Sequence, residues 1–95
     1  MDPDLPDLTI ADVVVSTAGR DAGSLFYVLE ADDVYLLLVN GKDRSIEKPK
    51  RKKRKHTTKV LRSETRVAEK LRNGDKVLNS ELRRDLAYLS NNLGG

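Results

Sequence analysis

Apolar residues in this chain fall into short blocks over its first two thirds and into a helical period after that. Val13, Val14 and Val15 form a β-branched run that ends in Ser16, Thr17, Ala18 and Gly19, the pattern of a first strand entering a loop. The loop from Ala18 to Ser24 contains Gly19 and Gly23, residues that accept positive φ without steric penalty. Leu25 to Glu30 and Val34 to Val39 read as two further strands separated by the turn signal Asp32-Asp33. Asn40-Gly41 follows at once, a strong hairpin dipeptide, with Gly41 as a third loop-shaping glycine. The apolar site at Ile46 predicts a fourth strand and Thr57 to Leu61 a fifth. Beyond Ser63, Val67 and Leu71 and then Leu82, Leu86 and Leu89 recur at spacings of four and three. Ser63 is the expected cap of a first helix, Asn73-Gly74 its end, and Ser80 with Glu81 the start of a second. The pattern predicts a mainly β protein with an α tail: about five short strands rolled into a small barrel, then a C-terminal helical hairpin.

That reading divides the 95 residues into an irregular acidic segment at 1–10, a barrel at 11–62 and a helical extension at 63–95. A chain this short has room for one domain and buries only ~60 to 65% of its unfolded surface, so its core must be compact. One Phe, three Tyr and no Trp make that core aliphatic, and the absence of Cys removes disulfides and thiolate metal sites. The longest apolar run, Val34 to Val39, is far below the ~20 residues of a spanning helix, and the acidic start is unlike a signal peptide. A cytoplasmic monomer without membrane contact is expected. Catalysis requires a nucleophile or base with an orienting partner. The chain offers no Cys, a single His and no Gly-Lys-Ser/Thr loop, so neither an enzyme, a small-molecule substrate, a metal nor a cofactor is expected.

Charge changes this picture more than composition does. Residues 1–41 hold eight acids and one base, Arg20, whereas residues 42–62 hold eleven bases and two acids. The basic residues concentrate in the run Lys48, Lys50, Arg51, Lys52, Lys53, Arg54 and Lys55, interrupted only by Pro49, with Lys42 and Arg44 extending it. Like charge at this density repels itself and becomes favourable beside a polyanion, where each neutralised phosphate releases counterions. The run at 48–55 reads as a solvated arm that binds phosphates and is ordered by RNA, Pro49 keeping its start extended. Other readings are a solvated loop that maintains solubility, a nuclear localisation signal, or an attraction to anionic lipid, which lacks the second, apolar signal that stable anchoring needs. Arg20, between two glycines, reads either as a phosphate contact or as a surface ion pair with Asp21 or Asp12. His56 reads first as a polar entry to the following strand and second as a ring that stacks on an unpaired base. Phe26, Tyr27 and Tyr35 do not form one stacking platform, because alternation places Phe26 and Tyr27 on opposite faces.

The stretch from Asp12 to Glu30, with its valine run, glycine loop and apolar strand, resembles the KOW motif of ribosomal and transcription-associated proteins. More narrowly, Ser16 to Gly23, then Val39-Asn40-Gly41, then the basic segment from Lys48-Pro49-Lys50 to Lys55-His56 look like the archaeal and eukaryotic large-subunit ribosomal proteins of the fourteen-e type and their bacterial KOW-domain relatives. The resemblance covers residues 12–62; the acidic lead-in and the helical tail lie outside it. It implies an SH3-like barrel that binds RNA, often ribosomal RNA, through Gly19, Arg20 and Gly23 in the loop and the basic residues leading to His56.

The expected function is a non-catalytic RNA-binding module for structured ribosomal or translation-related RNA, with ribosome association as one setting. The alternative is a protein-interaction adaptor localised by its basic run. For the apolar positions of the tail, packing on the barrel is favoured over a free partner-binding surface.

Overall fold

A computed structural model describes residues 8–93, so the first seven residues of the acidic lead-in lie outside the described part. Five antiparallel strands, β1 (Asp12–Ser16), β2 (Leu25–Ala31), β3 (Tyr35–Val39), β4 (Lys50–Lys53) and β5 (Thr57–Arg62), precede helices α1 (Arg66–Asn73) and α2 (Asn79–Leu93). The strand order is β4-β3-β2-β1-β5. In a flat sheet the two edge strands would stand about 19 Å apart, four spacings of ~4.8 Å. Yet β4 and β5 are joined by one 3-10 turn, Arg54–His56, a link of only about 8 Å at ~2 Å rise per residue. The sheet must coil until its edge strands come together at this one corner, giving the small barrel-like fold, open along the β4 edge, that the strand count and tight turns anticipate. Backbone bonds hold this corner from both sides: Arg54 N–H donates to Val34 O at 2.8 Å and Thr17 N–H to His56 O at 2.9 Å. Irregularities at Val13/Val14 and Val28/Glu30 supply the bends.

The fourth strand is the main correction to the sequence reading. Ile46 is no strand; its N–H donates to Asn79 Oδ1 at 2.9 Å, and its side chain packs, half-buried, against the helix-facing core. β4 is instead the centre of the basic run, antiparallel to β3 with Leu36 opposite Lys52 and Leu38 opposite Lys50. The arm expected between a fourth and a fifth strand is itself strand and turn.

Alternation gives the sheet two buried faces. Val14, Phe26, Val28, Leu36 and Leu38, joined by Leu8, fill the barrel interior. Val13, Tyr27 and Val39 lie in one cross-strand row on the opposite face, covered by Val67, Ala68, Leu71, Val77, Leu82, Leu86 and Leu89. Phe26 and Tyr27 therefore serve different cores, and the apolar tail packs on the sheet as favoured from its periodicity. Small strands alone bury too little surface; the two helices enlarge a marginal core.

α1 begins at Thr65, whose hydroxyl accepts from Ala68 N–H at 3.2 Å, and ends at Gly74 in the left-handed region (φ 74°). Ser63, the expected cap, faces elsewhere: its Oγ lies 2.7 Å from the Tyr27 hydroxyl. The Tyr27 hydroxyl also donates to Asp85 Oδ2, which accepts from Thr65 Oγ1 at 2.8 Å. One buried polar node thus ties β2 to both helices. α2 starts one residue before the expected Ser80, with Glu81 Oε1 accepting from Leu78 N–H at 3.1 Å.

Burial and the bond to Asp85 push the Tyr27 hydroxyl up to about 12. Its folded value lies above the unfolded value of 10.0, so its contribution to stability is complete below pH 10 and is lost as the pH rises toward 12. Tyr27→Phe is expected to cost about 1–3 kcal/mol at neutral pH, because Asp85 and Ser63 lose a buried partner. In urea melts, the gap between wild type and variant should narrow from pH 10 to 12; a constant gap would show that this hydroxyl does not control the seam.

Candidate nucleic-acid interface

The basic run is divided by its strand geometry into cations held inside the fold and cations facing solvent. Lys50 and Lys52 lie opposite the interior residues Leu38 and Leu36, so both point to the concave side. Lys52 is only 7% exposed, and its Nζ donates to Ala18 O at 2.8 Å and to Asp21 Oδ1 at 2.7 Å. Lys50 Nζ stands 3.3 Å from Asp21 Oδ2. Ser16 Oγ lies 2.8 Å from Asp21 Oδ1. Burial alone would raise the Asp21 carboxyl, but the bonds from Lys52, Ser16 and Lys50 outweigh it and hold that carboxyl well below the usual carboxylate range. The expectation that Lys52 contacts RNA is thereby corrected: it is a buried structural cation that fastens the glycine loop to β4.

Arg51 and Lys53 point the other way, beside Leu37 and Tyr35. The Arg51 guanidinium sits 3.7 Å from the centre of the Tyr35 ring, a stacked cation–π pair bordering a shallow groove of about 710 Å³. Arg54 Nη1 donates to Asp32 O at 2.7 Å, while Asp32 Oδ1 accepts from Val34 and Tyr35 N–H and shapes the β2–β3 turn. Among the described residues Lys48, Lys53 and Lys55 are exposed and have no acidic partner. His56 is half-buried, and its carbonyl closes the barrel corner.

Arg20 pairs with neither Asp21 nor Asp12, since Asp21 is held by the two lysines and Asp12 meets Lys59 Nζ at 3.3 Å. Instead Arg20 is exposed, and with Arg44 and Lys50 it lines a recess of about 280 Å³ that also includes Asp21, Ser24, Phe26 and Asp43. Coiling of the sheet brings these three candidates together from the β1–β2 loop, the β3–β4 loop and β4. Lys42 lies exposed nearby in sequence, outside that recess.

The loop carrying Lys42 and Arg44 is braced by Asn40, part of the expected hairpin dipeptide, and by Asn79 and Arg83, which the sequence did not flag. Asn40 Oδ1 accepts from Lys42 N–H at 2.9 Å and Arg44 N–H at 3.0 Å. Arg83 Nη1 donates to Gly41 O at 2.6 Å, and Asn79 Nδ2 to Glu47 Oε2 at 3.0 Å. Gly41 (φ 76°) packs so closely on α2 that a Cβ there would stand 2.2 Å from Asn79 O. Gly41 is thus required by contact as well as by φ. Gly19 and Gly23 also have positive φ, as loop-shaping residues should. Nothing in the chain's periodicity marks Asn79 or Arg83; only contact across the fold reveals them.

No protein-family model matches the chain, and no curated protein matches it. Among the described residues no helix is long and apolar enough to cross a membrane.

Asp21→Asn is expected to destabilise the fold by about 1–3 kcal/mol, because Lys52 is left buried without its anion while the partly exposed Lys50 can turn to solvent. The folded Asp21 value is depressed, so its stabilisation is complete above the unfolded value of 3.8 and declines as the pH falls below it. Denaturant melts from pH 7 to 2 should show the wild type converging on Asp21→Asn. Parallel curves would remove this pair from the account of stability.

Proposed function

We propose that this protein is a non-catalytic RNA-binding module, directed to structured ribosomal or translation-related RNA, in keeping with the KOW resemblance. The observation that carries the reading is the braced strand β4. It presents Arg51 and Lys53 at a fixed spacing of about 6.6 Å on one face, two residues of strand rise. Lys48 and Lys55 flank it. Cations on a strand lose little further freedom when they meet a phosphate backbone, whereas a disordered polycation must be ordered at that moment. The Arg51–Tyr35 pair adds a planar cation on an aromatic ring, a surface on which an unpaired base can stack. Val67, Leu71, Val77, Leu82, Leu86 and Leu89 are buried against the sheet, so the adaptor reading has less surface to draw on than the sequence offered, Tyr88 and Leu93 being the exposed large apolar residues of α2.

Neutralising the whole run would not test binding cleanly, because Lys50 and Lys52 hold the fold together. The appropriate variant converts Lys48, Lys53 and Lys55 to Gln. It should keep the wild-type thermal midpoint within a degree or two while weakening binding to an RNA stem-loop. The slope of log K against log salt should become shallower by about 2 to 3, the loss of up to three phosphate contacts at ~0.7 to 0.9 each. An unchanged slope and affinity would remove these residues from the interface; failure of the wild type to bind RNA would remove the function.

A further inference from the structure

The recess between Arg20, Arg44 and Lys50 differs in kind from the exposed row of cations on β4. Its charges come from three separate segments, and each segment is braced. The Arg20 loop is tied down by Asp21, through Lys52 Nζ at 2.7 Å and through Ser24 N–H to Asp21 O at 2.9 Å. The Arg44 loop is held by Asn40, and α2 grips it through Arg83 and Asn79. Lys50 already meets Asp21 at 3.3 Å, yet an ammonium has three donors, so it can reach a second anion without leaving the first. Among the described residues Arg20 and Arg44 have no acidic partner for their guanidinium groups.

We propose that this recess is a seat for one phosphodiester group of the bound RNA strand, gripped by the Arg20 and Arg44 forks with Lys50 beneath. This deepens the RNA-binding reading and rests on it. Charge selects an anion: the lining holds three bases against the two acids Asp21 and Asp43, and Asp21 is also met by Lys52, so the recess is net positive. That the anion is a diester follows from the RNA-binding reading, since every internal position of an RNA strand carries one. Size and surface select phosphate over base. At about 280 Å³ the recess takes a phosphate with its flanking sugar atoms, and its only aromatic, Phe26, is 1% exposed and has no face to offer for stacking. Ser24, also in the lining, can add a hydroxyl donor. The seat would set the register of the RNA strand on the protein, because two planar forks hold a phosphate at one place and in one orientation.

A geometric seat and a diffuse positive field respond differently to substitutions that keep the charge. The double variant Arg20→Lys/Arg44→Lys retains every positive charge but loses both planar forks, and Lys53→Arg/Lys55→Arg is its counterpart on the exposed row. Affinity for an RNA stem-loop with a 5′-hydroxyl should fall about tenfold in the first at an unchanged salt slope, and should hold in the second. Thermal midpoints report that both remain folded. In wild-type protein, titration with dimethyl phosphate should shift the amide signals of Gly19, Ser24 and Arg44. Undiminished affinity in Arg20→Lys/Arg44→Lys would overturn the seat and leave the RNA-binding function standing; absence of RNA binding by the wild type would overturn both. If a 5′-phosphate on the stem-loop strengthens binding in the wild type but not in Arg20→Lys/Arg44→Lys, the ligand is a terminal monoester and the diester assignment fails. If phosphatidylglycerol vesicles bind through the same two arginines and the RNA does not, the seat belongs to a lipid headgroup and the RNA assignment fails.

Discussion

A lysine buried against an aspartate decides what the basic run can be. Seven positive charges in eight residues repel one another, and a free chain of that composition has no reason to pair into a sheet. Lys52 changes this by placing its ammonium between Ala18 O and Asp21 Oδ1, at 2.8 and 2.7 Å, inside the concavity that Leu36 and Leu38 help to line. A buried ion pair is not in itself strong evidence for stability, since desolvation offsets much of its attraction. Its effect here is on specificity. Only the register that puts Lys50 and Lys52 on the inner side brings them to Asp21, and a slip of one residue would direct Arg51 and Lys53 there.

The glycine loop and the basic strand, about thirty residues apart, therefore act as one unit. Asp21 anchors Lys50 and Lys52, its neighbour Arg20 is left facing outward, and the coil of the sheet carries Arg44 to the same place. The helices contribute to this arrangement as well as to the core. α2 buries Leu82, Leu86 and Leu89 against the sheet, and from its N-terminal turns Asn79 and Arg83 clamp the β3–β4 loop. The Tyr27 node fixes how both helices lie on the sheet. The tail is thus a second layer of the domain.

How much of this could be read from the chain depended on whether the signal was local. The four strands with β-branched or apolar runs, β1, β2, β3 and β5, the turn at Asp32, and the Asn73-Gly74 stop were legible because neighbouring residues alone determine them. β4 was not. Hydrophobic alternation finds strands by their apolar face, and in β4 the inward face is two lysines that share one carboxylate from another loop. Ile46 misled for the complementary reason: its apolar side chain answers to α2, through a turn, and to no strand partner. Ser63 had every local mark of a helix cap, but Tyr27 claimed its hydroxyl and moved the cap to Thr65. The recess could not be read at all, since Arg20, Arg44 and Lys50 converge only after the sheet closes.

β4 also answers a problem that every open sheet has. It is an edge strand, and an unprotected edge invites pairing with another chain. Arg51, Lys53 and the flanking Lys48 and Lys55 surround that edge with like charge, so a second copy of the same strand is repelled while a polyanion is attracted. One feature of composition thus satisfies two requirements, and the two place different demands on position. Repulsion needs only charge somewhere near the edge; it would be met equally by a disordered lysine tail. Ordered capture, as the proposed RNA binding requires, needs the charges at set places, and the Asp21 anchor, the close packing of Gly41 and the helical clamp hold the loops and β4 in such places.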